Sequence, residues 1–447
     1  MAGDLPSRFA AAMARSLGDA RPGALGVAVS GGGDSTALLH LAVLWGGAPL
    51  RAATVDHGLR PEAATEAEAA ARGSVALGVP HITLRWRWDR AGNLQAAARE
   101  GRRRLLREWA AAEGLPAVLL GHTLDDQAET LVMRLARGSG VEGLSAMAEG
   151  RLVDGRVAFL RPLLAISRAE LRDWLRALGV AWSDDPSNDD PRFERVRARR
   201  AIEALGLDPR RLAATAARMA RARRALELRA REAATALALP GLPGEVRLRR
   251  DGLARLDEDT RLRVLAGALR CVSGAPYRPR EANLRRAAAA VEAGAARTLH
   301  GCALRPEDGP EGGTVLIHRE AAAVAGLRAP PGSLWDGAWR LEGAGGEEVR
   351  ALGEEGLRQL AALPQDGDWP DPPPLAPPGH PRAALAAKPA LWRGERLLGF
   401  AFRRAGRPHR LAWAPPGGPF PACLSPGAAP EAPPPLTRPR DAGGRAD

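Results

Sequence analysis

The chain has 447 residues and a formal net charge of +12, and its 64 basic residues are 63 arginines and one lysine, Lys388. That length allows about three domains with real apolar cores, and the near absence of lysine excludes any phosphate chemistry that needs a loop lysine. Three scattered cysteines, Cys271, Cys302 and Cys423, exclude a disulfide framework or a CxxC metal pair. No run approaches the ~18 apolar residues of a membrane span, so a reducing, cytoplasmic location with no membrane partner is expected.

Residues 1–23 alternate charges with Ala and lack the apolar core of a signal peptide. From Leu25, short apolar runs alternate with helical patterns. Strands are expected at 25–30, 50–56, 81–86, 117–122 and 157–164, and helices near 35–45, 61–78, 93–113 and 125–137. This alternation predicts an α/β fold, a parallel sheet with helices on both faces, whose ligands bind beyond the carboxyl ends of the strands. The chemically distinctive stretches, 30–35, 56–60 and 122–129, all follow strand ends.

Residues 209–237 read as a long Arg-rich helix and 252–293 as further Ala-rich helical sequence, which predicts a mostly helical second domain. Residues 192–231 hold 13 Arg against four acids, a local +9 that carries most of the excess charge. Such a stripe is the footprint of a polyanion binder, the bland alternative being one long solvated helix. Strand-like fragments at 334–341 and 390–404 flank a Pro-rich stretch, 364–381, and predict a small mixed α/β domain. The expected division is 1–210, 211–330 and 331–424, with 425–447 as a tail.

The loop "SGGGDS" carries the sharpest chemistry. Backbone N–H groups of Ser30, Gly31, Gly32 and Gly33 can converge on phosphate oxygens, aided by the helix N-terminus that follows. Asp34 stands where a Walker loop has Lys. An acid beside a polyphosphate makes sense if it holds Mg²⁺, which neutralises a departing pyrophosphate; helix capping by Asp34 and Ser35 is the structural alternative.

In "GHTLDDQAET", 121–130, Asp125 and Glu129 are spaced i,i+4 and Asp126 and Glu129 i,i+3, so the acids can share a helix face. That face suits Mg²⁺, with Asp125 beside Asp34, or a substrate amine; acids at a helix start are also ordinary dipole partners. His122 is a candidate acid or base near pH 7. Asp56 and His57 end the second strand. Asn93 reads as a helix cap, and Arg99, Arg102 and Arg103 project from that helix toward phosphates or a nucleotide backbone.

"SGGGDS" resembles the signature of the PP-loop ATP pyrophosphatases, which cleave ATP between the α and β phosphates. Taken with "DHGLRPEA" from Asp56, "NLQAAAREGR" from Asn93, "GHTLDDQAET", "RGSGVEGL" from Arg137 and "DDPSNDDPRFERVRAR" from Asp184, the chain is similar over about 22–200 to the tRNA(Ile)-lysidine synthetases. The resemblance implies ATP and Mg²⁺ as cofactors. It implies an isoleucine tRNA with anticodon CAU and free lysine as partners, a homodimer being left open. The wobble cytidine is adenylated, pyrophosphate leaves, and the lysine ε-amine displaces AMP from carbon 2.

The resemblance further implies catalytic roles for Asp34, Asp126, Glu129, His122 and Arg99, with ATP held by residues 30–35. Arg102, Arg103, Arg192, Arg195, Arg197, Arg218, Arg221 and Arg224 are the expected nucleic-acid contacts. Gln95, Arg103 and Val196 depart from the residues usual in that family. A thiolase of the same superfamily would need cysteines, and 1–270 has none; an amidotransferase relative would need a glutaminase nucleophile or an added ammonia source, and there is no N-terminal Cys. A non-catalytic RNA-binding protein is the alternative from another class.

Overall fold

The computed structural model describes residues 4–58, 62–87, 94–153, 157–183, 190–275, 277–309, 312–341, 347–361 and 380–400, with short pieces between 403 and 424. Asn93, most of the Pro-rich stretch, residues 184–189 and the tail lie outside them. The chain divides into two compact units, Met1–Arg223 and Arg224–Pro426.

The first unit runs α1 (Leu5–Leu17), β1 (Leu25–Ala28), α2 (Gly33–Trp45), β2 (Leu50–Asp56), α3 (Glu62–Ala76), β3 (His81–Arg85), α4 (Leu94–Ala112), β4 (Ala117–Leu119), α5 (Leu124–Ala136), α6 (Val141–Leu144), β5 (Gly150–Val153), β6 (Val157–Leu160), α7 (Arg168–Ala177) and α8 (Glu194–Ala204). Then α9 (Pro209–Leu237) begins. The sheet order is β3-β2-β1-β4-β6-β5, parallel throughout except for the β5–β6 hairpin. The five expected strands and four expected helices all form; the edge strand β5 was not anticipated.

A parallel sheet must be covered on both faces, and its strands read as apolar runs for that reason. On one face Phe9 and Met13 of α1, Leu38 and Leu41 of α2, and Leu171 and Leu175 of α7 are buried against Leu25 and Val27. On the other, Leu106, Trp109 and Ala110 of α4 pack on Val118 and Phe159. Gly26 makes this possible in the central strand, since a Cβ there would lie 2.9 Å from the Trp109 ring.

α7 starts with a capping box: the Ser167 N–H donates to Glu170 Oε2 at 2.9 Å, and the Glu170 N–H returns a bond to Ser167 Oγ at 3.3 Å. Arg8 of α1 pairs with the other Glu170 oxygen at 2.7 Å. Partial burial alone would raise the Glu170 carboxyl, but the bonds from Ser167 and Arg8 hold it down at about 2. Glu170→Gln, whose amide oxygen can still complete the cap, is expected to cost about 1 kcal/mol at pH 7 through the charge lost from the bonds with Ser167, the solvent-screened pair with Arg8 adding little. A depressed carboxylate stabilises above its ordinary value of 4.5, so the cost fades as pH falls from 4.5 toward 2. Urea midpoints at pH 7 and pH 3 test this, and an undiminished cost at pH 3 refutes it.

The second unit takes the rest of α9 and continues β7 (Ala238–Leu239), β8 (Glu245–Arg249), α10 (Arg250–Ala254), α11 (Glu258–Ser273), α12 (Glu281–Glu292), β9 (Arg297–Leu299), β10 (Cys302–Glu307) and β11 (Thr314–Arg319). These strands form an antiparallel sheet, β7-β8-β11-β10-β9, whose core with α11 and α12 includes Val246, Leu265, Leu269, Leu284, Leu304 and Ile317. The helices were legible; this sheet was not. β10 carries Pro306 and the charged Arg305 and Glu307, which read as loop in isolation. The chain then continues with α13 (Ala321–Val324), β12 (Arg328–Ala329), β13 (Leu334–Trp335), β14 (Trp339–Leu341), β15 (Glu348–Ala351), α14 (Gly353–Ala361), β16 (Pro389–Arg393) and β17 (Arg396–Phe400), the strands entering two smaller antiparallel sheets.

Lys388 is 3% exposed just before β16. It donates to Glu245 Oε1 of β8 at 2.8 Å and to the Pro243 carbonyl at 2.7 Å, while His380 Nε2 lies 3.1 Å from the same Glu245 oxygen.

Candidate active site

Two glycines set the geometry at the carboxyl ends of β1 and β4. Gly31 has φ +82°, a left-handed conformation that turns the loop between β1 and α2. The turn is locked by Ser35, whose Oγ accepts from the Ser30 N–H at 3.0 Å and donates to the Gly32 carbonyl at 3.0 Å, and the Ser183 N–H donates to the Gly31 carbonyl at 2.9 Å. Gly121 lies two residues after β4, against the start of α2. A Cβ there would lie 3.2 Å from Ser35 Cα and 3.3 Å from the Asp34 backbone, so only a residue without one lets the two motifs meet.

Four acids then come to one place. Asp126 is the third residue of a capping box on α5: its Oδ2 accepts from the Thr123 N–H at 2.8 Å. This leaves Oδ1 for Arg195 at 3.0 Å and Arg168 at 3.5 Å. Glu129, one turn on and 2% exposed, accepts from Arg199 at 3.0 Å and Arg168 at 3.4 Å. Asp34 Oδ2 accepts from Arg168 Nε at 3.1 Å. Asp125 accepts from the backbone N–H of Arg168 at 2.7 Å. Among the described residues Asp34 Oδ1 is buried without a hydrogen-bond partner.

Burial raises the Asp34 carboxyl; Arg168 opposes this and the nearby Asp126 adds to it. Burial would also raise Asp126, but Arg195 and Arg168 reverse the sign and keep it ionised. His122 is pushed down to about 3, first by burial and then by Arg161, Arg195 and Arg102, against the pull of Asp126. Its imidazole is therefore neutral at physiological pH, which corrects the expectation of a group titrating near 7. Arg168 is held charged: burial works against it, and Asp126, Asp34 and Glu129 outweigh burial.

A PP-loop domain family matches residues 5–205. The tRNA(Ile)-lysidine synthase of Ruegeria pomeroyi is 44% identical over 387 residues, covering 84% of this chain and 88% of its own length. The chain belongs to the tRNA(Ile)-lysidine synthase family. The tRNA(Ile)-lysidine synthase of Methylobacterium nodulans is 46% identical over 283 residues, 61% of this chain and 81% of that protein. Among solved structures, the U34-tRNA thiolase NcsA from Methanococcus maripaludis matches 48% of this chain and 77% of its own with a TM-score of 0.39 at 16% identity. No helix among the described residues is long and apolar enough to cross a membrane.

The arginines expected from this family resemblance have varied surroundings. Burial and the neighbouring cations Arg99 and Arg195 lower the guanidinium of Arg102, and Arg99 is lowered by burial and by Arg195, Arg103 and Arg134. Such crowding of like charge is what an anion relieves. Arg103 pairs with Glu100 at 3.6 Å. Arg192 pairs with Asp190 at 2.7 Å, and Arg197 donates to the carbonyls of Pro191 and Arg192, closing the turn before α8. Arg195 faces Asp126 within the cluster of acids. Arg218, Arg221 and Arg224 are exposed on α9.

Asp56 accepts from the Gly58 N–H at 2.8 Å, and the His57 ring stands edge-on to Trp86 at 5.7 Å. Asn93 and the side chain of Gln95 fall outside the described residues. Sequence reading did not single out Arg168 and Arg199. The first had a signal: Ser167 and Glu170 spell a capping box right after a strand, which puts Arg168 at the first helical position beside the strand ends.

Proposed function

We propose that this site activates the wobble cytidine of an isoleucine tRNA with ATP and joins lysine to carbon 2 of the base, forming lysidine. The observation that carries the reading is the buried, unpartnered Asp34 oxygen beside the glycine loop, within reach of the same guanidinium as the α5 acids. Residues 30–33 and the α2 N-terminus cradle the phosphates, and Ser35 holds the loop in shape. Asp126 and Glu129 receive the lysine amine and orient it toward the activated base. His122 is neutral, and with its basicity lowered so far it can serve as a hydrogen-bonding group beside the α5 acids rather than as the base that takes the amine's proton. Arg99 and Arg102 face the anionic phosphates.

Asp34 fits Mg²⁺, an ion that takes one or two carboxylates and completes its shell with water and phosphate oxygens. Among the described residues no cluster of three or more His, Cys, Asp or Glu is placed to hold a metal, which suits such an open shell better than an all-protein cage. When bound, Mg²⁺ neutralises charge on the departing pyrophosphate. We assign this chemistry to 1–210 and reading of the tRNA to 211–330 and 331–424, in the cytoplasm.

Mass spectrometry of nucleosides from CAU-anticodon tRNA treated with the protein, ATP and lysine tests the reading. Lysidine appearing only when all three are present supports it, and unmodified cytidine overturns it. The exposed arginines of α9 are tested separately. Changing Arg218, Arg221 and Arg224 to Glu is expected to weaken tRNA binding and flatten its salt dependence by about one unit of log–log slope per lost phosphate contact, with ATP binding intact. An unchanged slope assigns them to solvent.

A further inference from the structure

The carboxylates assigned above to the lysine amine are already neutralised. Asp34, Asp126 and Glu129 face the guanidinium groups of Arg168, Arg195 and Arg199, Arg172 adds positive charge near Asp34, and Arg99 and Arg102 add more beside Arg195. A lysine side chain brings one more ammonium into that place. In a partly buried site an added like charge is strongly disfavoured unless a cation leaves or an anion arrives.

Of these guanidiniums Arg168 touches all three acids, at 3.1 Å from Asp34, 3.5 Å from Asp126 and 3.4 Å from Glu129. Its root is fixed, because its backbone N–H is tied to Asp125 at 2.7 Å at the first position of α7. Its head is therefore the shared partner of three acids on a fixed stem, next to Asp34 at the end of the phosphate loop. ATP supplies the missing anion at that loop.

We propose that Arg168 is a positioning residue that reserves the lysine-ammonium subsite until ATP binds. In the free enzyme its guanidinium occupies the carboxylates of Asp34, Asp126 and Glu129. The triphosphate then draws it away, and the vacated carboxylates of Asp126 and Glu129 accept the lysine ammonium in its place. The inference rests on the reading that Asp126 and Glu129 receive the amine. Its consequence is an order of binding, ATP before lysine, and by linkage the two ligands tighten one another by the same factor.

Equilibrium dialysis of radiolabelled lysine against the full chain, with and without a non-hydrolysable α,β-methylene ATP analogue, tests it. The wild type should bind lysine about tenfold more tightly with the analogue, within the usual range of coupling between sites. Arg168→Gln should bind lysine without the analogue about as tightly as the wild type binds it with the analogue, and the difference should collapse. Arg168→Lys, which keeps the charge, should retain most of the difference and guards against a variant that fails to fold. No coupling in the wild type, or lysine binding by Arg168→Gln alone no tighter than by the wild type alone, overturns the proposal. Lysidine formation by the wild type, measured separately, distinguishes the failures: with product but no coupling, only the role of Arg168 falls; without product, the reading of the site falls too.

Discussion

Asp34→Ala is expected to cut ATP-dependent pyrophosphate release at least about 10³-fold, a loss of roughly 4 kcal/mol of transition-state stabilisation. The side chain is held at the mouth of the glycine loop with one oxygen on Arg168 and the other buried and unpartnered. A neighbouring carboxylate cannot take its place. Asp126 and Glu129 lie along α5, not on the glycine loop, with Arg195 and Arg199 beside them, and Asp125 accepts from the start of α7. Asp34→Asn, which keeps the shape and loses the charge, should be nearly as impaired, so the effect is one of charge. The fold should persist, because Asp34 lies outside the apolar core of α2 that packs through Leu38 and Leu41. Single-turnover pyrophosphate release by the two variants, beside thermal melts, decides the matter; near-normal release by Asp34→Ala removes the proposed metal role.

The largest effect on stability is expected in the second unit. Glu245→Ala leaves Lys388, 3% exposed, without its carboxylate, and losing one partner of a buried pair costs about 3–5 kcal/mol. Burial lowers the Lys388 ammonium and Glu245 opposes that, so without Glu245 the amine is pushed down further. Glu245 itself is held below its ordinary 4.5: burial would raise it, but the bonds from His380 and Lys388 prevail. Its contribution is thus present above pH 4.5 and is lost as pH falls below it. Replacing both partners, Glu245→Leu with Lys388→Met, should cost much less than Glu245→Ala alone, because no charge is left stranded. Guanidinium denaturation of the three proteins tests this, and a loss below about 1 kcal/mol for Glu245→Ala shows that water reaches the lysine.

The parallel sheet was legible because its signal is local: four to seven apolar residues, a turn, then an amphipathic helix. The glycine loop and the α5 acids were legible because each motif is contiguous and follows a strand. What joins them was not. Gly121 was read only as part of a motif, yet its missing Cβ is what lets β4 close on α2. Arg168 sits 134 positions from Asp34, and no pattern of spacing links them. Arg195 was grouped with the outward-facing basic stripe, because charge counting along a chain cannot tell which arginine of α8 turns toward Asp126. His122 titrates far from neutrality through the surroundings that the fold builds around it, which a residue's type does not disclose. The antiparallel sheet of the second unit pairs segments such as β8 and β11, about seventy residues apart, and Pro306 masks one of its strands.

The burial of Lys388 also bears on what an activated base can meet. It is the chain's one side-chain ε-amine, and in the folded protein it is enclosed in an ion pair. The guanidinium groups that provide the rest of the positive charge stay protonated and are not nucleophiles. An electrophilic nucleotide held by this protein therefore finds no exposed lysine side chain to compete with a substrate amine. By the same reasoning, amine-selective acylating reagents should leave the side chains of the native protein unmarked and label Lys388 only once the second unit opens.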